Sequence, residues 1–334
     1  MSPATATPLA DATGPARAEL GLEAAMHEVD SVIAQRLASQ VGLVEQVSLH
    51  IIRAGGKRLR PKLVLLFAQA LGYSGPKRVE LAAVVEFIHT ATLLHDDVVD
   101  ESALRRGQAT ANAAFGNAAS VLVGDFLYSR AFQMMVSLNN MRVLEVLAEA
   151  TNTIAEGEVL QLMHMRNADL TVDEYLRVIR FKTAKLFEAS ARLGAILASA
   201  SSAVEQSCAE YGRCLGTCFQ IVDDLLDYEG QSQELGKNPG DDLREGKATL
   251  PLLIALERGT PAQQQVLRQA IESAQIDRLA DVIDIVRSSG ALEATRQAAQ
   301  READRAQAAL ALVPAGAARS ALLELSSQSV LRSR

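Results

Sequence analysis

The chain has 334 residues, 49% of them hydrophobic, with a mean hydropathy of +0.09. That is enough material for a large soluble core and excludes a disordered chain. A net charge of −7 and an isoelectric point near 5.4 argue against a nucleic-acid partner, since neutralising a phosphate backbone takes a basic stripe that the sequence does not show.

Residues 1–20, MSPATATPLADATGPARAEL, lack an apolar run and contain Asp11 and Glu19, so they read as a flexible tail rather than a secretory or transit signal. From residue 21 to 334 no Pro/Gly/Ser-rich linker interrupts the chain, and apolar residues recur at helical spacing; this predicts one all-α domain. RAGGKRLRP places Lys57, Arg58 and Arg60 after a Gly55-Gly56 break and before Pro61, a helix-start residue. RVELAAVVEFIHTATLLHDD follows, helical by the spacing of Val79, Ala82, Ala83, Glu86, Phe87 and Thr90, and apolar on almost every side, as in the middle of a bundle. It runs into Asp96, Asp97 and Asp100, then at once into Arg105 and Arg106. The longest uncharged run, Gln108 to Gly124, is 17 residues with two asparagines and two glycines, too polar to span a bilayer.

Further along, NADLTVDEY is a break and Lys182 stands in RFKTAKLF. Cys208, Cys214 and Cys218 show no CxxC pairing and no nearby histidine; they read as buried, reduced thiols, which points to the cytoplasm. A second apolar helix around Phe219 ends in Asp223, Asp224 and Asp227, followed by the break YEGQSQELGKNPGDD with Lys237, and then by Lys247.

One DDxxD is commonly just a polar helix end. A second copy in the same apolar helical setting points to a site. On a helix the first and last aspartates of the motif lie about 40° apart and one turn along, the middle one about 100° around. Like charges about 4 Å apart repel by roughly 4 kcal/mol at an effective dielectric of 20, so facing clusters call for cations. Mg²⁺ suits them, since it takes one or two carboxylates and completes its shell with water and phosphate oxygens. The EF-hand alternation of acidic residues with a glycine and a distal glutamate is missing from both segments. The ligand implied is a diphosphate, with the scattered basic residues as its counter-charges.

GGKRLRP, EFIHTATLLHDDVVDESALRRG, NAAFGNAASVLVGDFLYSRAFQMM, IAEGEVLQL, KTAKLF, FQIVDDLLDY and LGKNPGDDLREGKATLPLL together resemble the trans-isoprenyl diphosphate synthase (polyprenyl synthetase) family, and within it the bacterial octaprenyl branch. The resemblance covers nearly all of the chain after the tail. It implies the isoprenoid synthase fold, a large helical bundle around a central cavity, assembled as a homodimer. It implies several Mg²⁺ ions, with Asp96, Asp100 and Asp223 as main ligands and Asp97, Asp224 and Asp227 ligating or acting through water. Arg105, Lys182 and Lys237 would grip an allylic diphosphate (farnesyl or geranyl), with Lys247 close by, while Lys57, Arg60, His89 and Arg106 would hold isopentenyl diphosphate. Thr183 and Gln220 would line the reacting centre.

The implied chemistry is ionisation of the allylic diphosphate, attack by the isopentenyl double bond and loss of a proton; no nucleophile-base pair is needed, and none is evident. The product would be a long all-trans polyprenyl diphosphate for quinone side chains, eight isoprene units on closest resemblance or else the solanesyl or a shorter length, passed on to membrane enzymes. The small residues Ala91 and Thr92, with Ile88, are expected to leave the tail path open below Asp96, and Phe132 and Met135 to form its floor. A class I terpene cyclase fits less well, because the second motif is a full DDxxD and only 4% of residues are aromatic. A non-catalytic partner subunit has no need of all six aspartates kept here.

Overall fold

The computed structural model describes residues 15–229, 240–274 and 277–331. Its helices are α1 (Pro15–Arg36), α2 (Gly42–Arg53), α3 (Leu59–Ala70), α4 (Lys77–Val99), α5 (Ala111–Phe115), α6 (Asn117–Ser137), α7 (Met141–Met163), α8 (Val172–Ile179), α9 (Lys185–Leu197) and α10 (Ser202–Glu229). They continue as α11 (Asp241–Arg244), α12 (Leu250–Arg258), α13 (Pro261–Ser273), α14 (Leu279–Ser288), α15 (Ala291–Ala309) and α16 (Ala317–Val330). The all-α expectation holds, with one small exception: a hairpin pairs Leu104–Arg105 with Gln108–Ala109. Its two-residue turn has φ of 51° at Arg106 and 74° at Gly107, the pairing of positive angles that matches the twist of a tight hairpin.

Helix α1 begins at Pro15, inside the stretch read as tail. ARAEL consists of good helix formers behind a proline that suits a first turn, so the helix extends back past Gly21. Residues 1–14 lie outside the described residues. Other boundaries follow local chemistry. Thr171 and Glu174 form a reciprocal capping box at α8, and Thr260 and Gln263 form another at α13, where Pro261 fills the first turn.

The two helices that carry the aspartates run through the interior of the bundle. Helix α4 packs on α3 and α6, and α10 packs on α9 and α15. Each is buried along most of its length, α4 from Val79 to Ala91 and α10 from Cys208 to Tyr228. All three cysteines are buried thiols on α10. Between α8 and α9, residues Arg180–Ala184 form a π-helical turn. Such turns concentrate at functional sites, and this one carries Lys182 and Thr183. Among the described residues no helix is long and apolar enough to cross a membrane.

Candidate active site

A cavity of about 670 Å³ opens between α4 and α10. Asp96 and Asp100 reach it from α4, and Asp223, Asp224 and Asp227 from α10. Asp97 does not face it. Its side chain is 0% exposed, and Arg105 closes on it with Nη2 at 2.7 Å and Nε at 3.0 Å from Oδ1. The middle residue of a DDxxD points about 100° away from the first, and here that direction leads to a structural pair rather than to open space. Asp97, expected to ligate a metal or to act through water, here has its carboxylate engaged by Arg105 instead of turned to the cavity.

Asp224 follows the same logic at the cavity wall. Almost fully buried, it accepts a hydrogen bond from the Tyr175 hydroxyl at 2.5 Å and another from Gln220 Nε2 at 2.7 Å. Burial pushes its carboxyl up to about 7. Gln220 also accepts from the Thr183 hydroxyl at 3.0 Å, so Thr183, Gln220, Asp224 and Tyr175 form one relay along the wall. Asp227 accepts from the backbone amides of Asp241 at 3.2 Å and Asp242 at 3.3 Å, which ties α11 to α10 across residues 230–239. Lys237 lies outside the described residues.

Ammonium groups meet the outward aspartates. Lys182 Nζ lies 2.6 Å from Glu158 and 3.8 Å from Asp96; Lys247 Nζ lies 2.9 Å from Asp100 and 2.6 Å from Glu245. Burial raises the Asp96 carboxyl above its usual range, against the pull of Lys182. Burial also pushes Glu158 up to about 7, again opposed by Lys182. Desolvation would lower the Lys247 ammonium, but Asp100 and Glu245 outweigh it and raise it. These are acids that a cation in the cavity would relieve.

A second basic group lines the same cavity: Lys57, Arg60 and Arg106, with His89. The Arg60 guanidinium sits over the Phe187 ring at 4.3 Å and 3.2 Å from His89 Nε2. Burial brings Arg60 down to about 10, and burial together with Arg60 holds His89 well below its ordinary value, so the imidazole is neutral. The glycine pair proves to be more than a turn. Gly56 has φ +149°, a conformation that favours glycine, and its bare backbone lies against the Arg106 guanidinium, 2.8 Å from where a Cβ would stand.

Glu86 and Glu158 are among the cavity carboxylates that escaped the sequence reading. Glu86, nearly buried, accepts from Arg58 at 2.7 Å, while its Oε2 has no hydrogen-bond partner among the described residues. Glu158 is the partner of Lys182. The signal was available in both cases as an acid inside an apolar helical run, AVVEFIH and GEVLQL.

The tail-path candidates divide. Thr92 lines the cavity, four residues and about 40° from Asp96 on the helix. Ala91 is turned about 140° from Asp96, and it is buried with Ile88 and Met135 in the packed core around α4 and α6. Phe132 is 39% exposed on the outer side of α6. In this chain those four residues stand outside the cavity.

The polyprenyl synthetase family pattern matches residues 41–286. The octaprenyl diphosphate synthase of Escherichia coli is 55% identical over 310 residues, 92% of this chain and 96% of that protein. A crystal structure of a decaprenyl diphosphate synthase from Rhodobacter capsulatus superposes with a TM-score of 0.90 at 48% identity, covering 96% of this chain and 99% of the other. A polyprenyl synthase from Caulobacter crescentus, complexed with calcium and isoprenyl diphosphate, gives 0.91 at 46% identity over 98% and 100%. The cavity between two aspartate-bearing helices thus lies in a chain that shares most of its length with such enzymes, and it belongs to the polyprenyl synthetase family as a prenyltransferase.

Proposed function

We propose that the chain is a long-chain all-trans polyprenyl diphosphate synthase making an eight-unit product. The observation that carries this is the convergence of two outward aspartate pairs, Asp96 with Asp100 and Asp223 with Asp227, on a cavity that also holds two separate sets of cations. One set, Lys182, Lys247 and Arg105, stands beside the aspartates and grips the allylic diphosphate. The other, Lys57, Arg60 and Arg106 with neutral His89, holds isopentenyl diphosphate.

The donors fit Mg²⁺. They are carboxylate oxygens, from Asp96, Asp100, Asp223 and Asp227. That suits a cation that takes one or two carboxylates and fills its shell with diphosphate oxygens and water. When bound, Mg²⁺ supplies Lewis-acid charge to the departing diphosphate. Lys182 and Lys247 add fixed positive charge on the same side. The allylic C–O bond breaks with both electrons leaving on diphosphate, the isopentenyl double bond forms the new C–C bond, and the released diphosphate takes the proton whose loss restores an alkene. Apolar side chains such as Ile52, Leu93 and Phe219 keep water from the cation.

The eight-unit length follows the relatives named octaprenyl diphosphate synthase in Escherichia coli and, at 47% identity, in Haemophilus influenzae. A homodimer is supported by an exposed apolar surface on α6 and α7, with Leu122, Val136, Val159, Leu162 and Met163. The purified chain, given farnesyl and isopentenyl diphosphates, should release a forty-carbon diphosphate with Mg²⁺ and nothing in chelator. No elongation with Mg²⁺ present would end this reading; nine- or ten-unit products would end only the length assignment.

A further inference from the structure

The contact between Glu158 and Lys182 is built from both sides of the cavity wall. Gly157 lies against the π-helical turn so closely that a Cβ there would stand 2.6 Å from the Lys182 amide nitrogen and 2.9 Å from the Phe181 carbonyl carbon. A larger residue would push α7 off the turn. With glycine the next residue, Glu158, reaches the Lys182 ammonium at 2.6 Å. The same ammonium also lies 3.8 Å from Asp96. Lys182 therefore stands beside two carboxylates, in hydrogen-bond contact with one and short of contact with the other.

We propose that Glu158 is a positioning residue: it holds the Lys182 ammonium back from Asp96, leaving the Asp96 oxygens open to a divalent cation and the remaining N–H groups of Lys182 aimed at the allylic diphosphate. An ammonium has three donors and no acceptor. With Glu158 taking one, two remain for phosphate oxygens. Without that anchor, the nearest negative group is Asp96. Lys182 would then close onto Asp96, and a divalent cation would have to displace it before binding. The isopentenyl diphosphate cations are not part of this contact, since Lys57, Arg60 and Arg106 come from the α2–α3 loop, α3 and the hairpin.

The proposal rests on the prenyltransferase reading of the cavity, and the test separates the two. Binding of farnesyl thiodiphosphate in Mg²⁺ is measured by calorimetry for the wild type, Glu158→Gln, Lys182→Met and the double variant, alongside the KM for each substrate. Glu158→Gln should weaken analogue binding about 10- to 100-fold in the wild-type background, the range for a hydrogen bond to a charged group. In the Lys182→Met background the same change should alter it by less than about twofold, because the partner is gone. The KM for isopentenyl diphosphate should stay within about twofold of wild type. Glu158→Asp, which keeps the charge on a shorter arm, should recover part of the loss. If Glu158→Gln does not fold, Glu158→Asp takes its place in the cycle, with the same sign and a smaller loss.

Equal losses in both backgrounds, or a parallel rise in both KM values, would overturn the positioning role while leaving the enzyme's identity untouched. A wild-type chain that neither binds the analogue nor elongates farnesyl diphosphate would remove the reading of the cavity, and this proposal with it.

Discussion

Arg105 and Asp97 form a two-point pair in which the carboxylate is sealed from solvent while the guanidinium stays partly open to the cavity. The pair fastens the hairpin onto the end of α4, and Asn112 reinforces it by donating to the Asp97 carbonyl at 3.0 Å. Removing one partner of a buried pair leaves the other uncompensated, which costs about 3 kcal/mol or more. Asp97→Asn should therefore lower the thermal midpoint as well as the rate. A variant with a wild-type melting curve would show that the pair carries no stability.

Asp96 and Asp223 should behave in the opposite way. Both line the cavity rather than the core, so Asp96→Ala and Asp223→Ala should keep the far-UV circular dichroism and melting temperature of the wild type while kcat falls at least about 100-fold. Single-turnover rates at saturating Mg²⁺ are the measurement. Near-normal turnover in either variant would remove it from the metal site.

Product length should respond to Thr92 and not simply to Ala91. A phenylalanine at position 92 projects into the cavity about one turn below Asp96, and should stop elongation at roughly fifteen to twenty carbons. Position 91 is packed on all sides, so Ala91→Phe overpacks the core and should cost about 1–3 kcal/mol of stability. Chromatographic sizing of products beside a denaturant melt distinguishes the two. A stable Ala91→Phe enzyme with shortened products would place the tail on the other side of α4.

The cysteines predict a pH dependence. Burial pushes the Cys208 thiol from 9.0 up to about 12. For an acid whose folded value is raised, the folded state binds the proton more tightly than the unfolded one, so stability declines as pH climbs from about 9 toward 12. Below that window the group contributes no change. An aromatic disulfide reagent at pH 8 should leave the native Cys208 thiol unmodified and label it on unfolding. Fast labelling of folded protein would contradict its enclosure.

The sequence displayed the helices and the duplicated motif openly, because both depend on spacing along one element. Asp96, Asp100, Asp223, Lys182, Thr183 and Gln220 do share one cavity. What stayed hidden depended on direction and on partners distant in sequence. Asp97 and Asp224 look identical to their neighbours until Arg105 and Tyr175 are found beside them. Ala91 and Thr92 are adjacent in sequence, yet about 100° of helical turn separates core from cavity. Glu158 stood out as an acid in an apolar run, but its partner depends on a π-helical turn, which no propensity signals, that brings Lys182 against α7.

The shared cavity has a consequence for how successive rounds connect. On the proposed assignment, the elongated chain carries after each condensation the diphosphate that arrived on isopentenyl diphosphate, and so it would rest among Lys57, Arg60 and Arg106. On the same assignment, the next round would need that headgroup among Lys182, Lys247 and the aspartates. Both sets of cations border the same continuous space, so the headgroup can translocate across the chamber while the hydrocarbon stays threaded. Elongation on such a path is a relay within one bound molecule rather than a series of departures and returns, and intermediates should be scarce in the medium while full-length product accumulates.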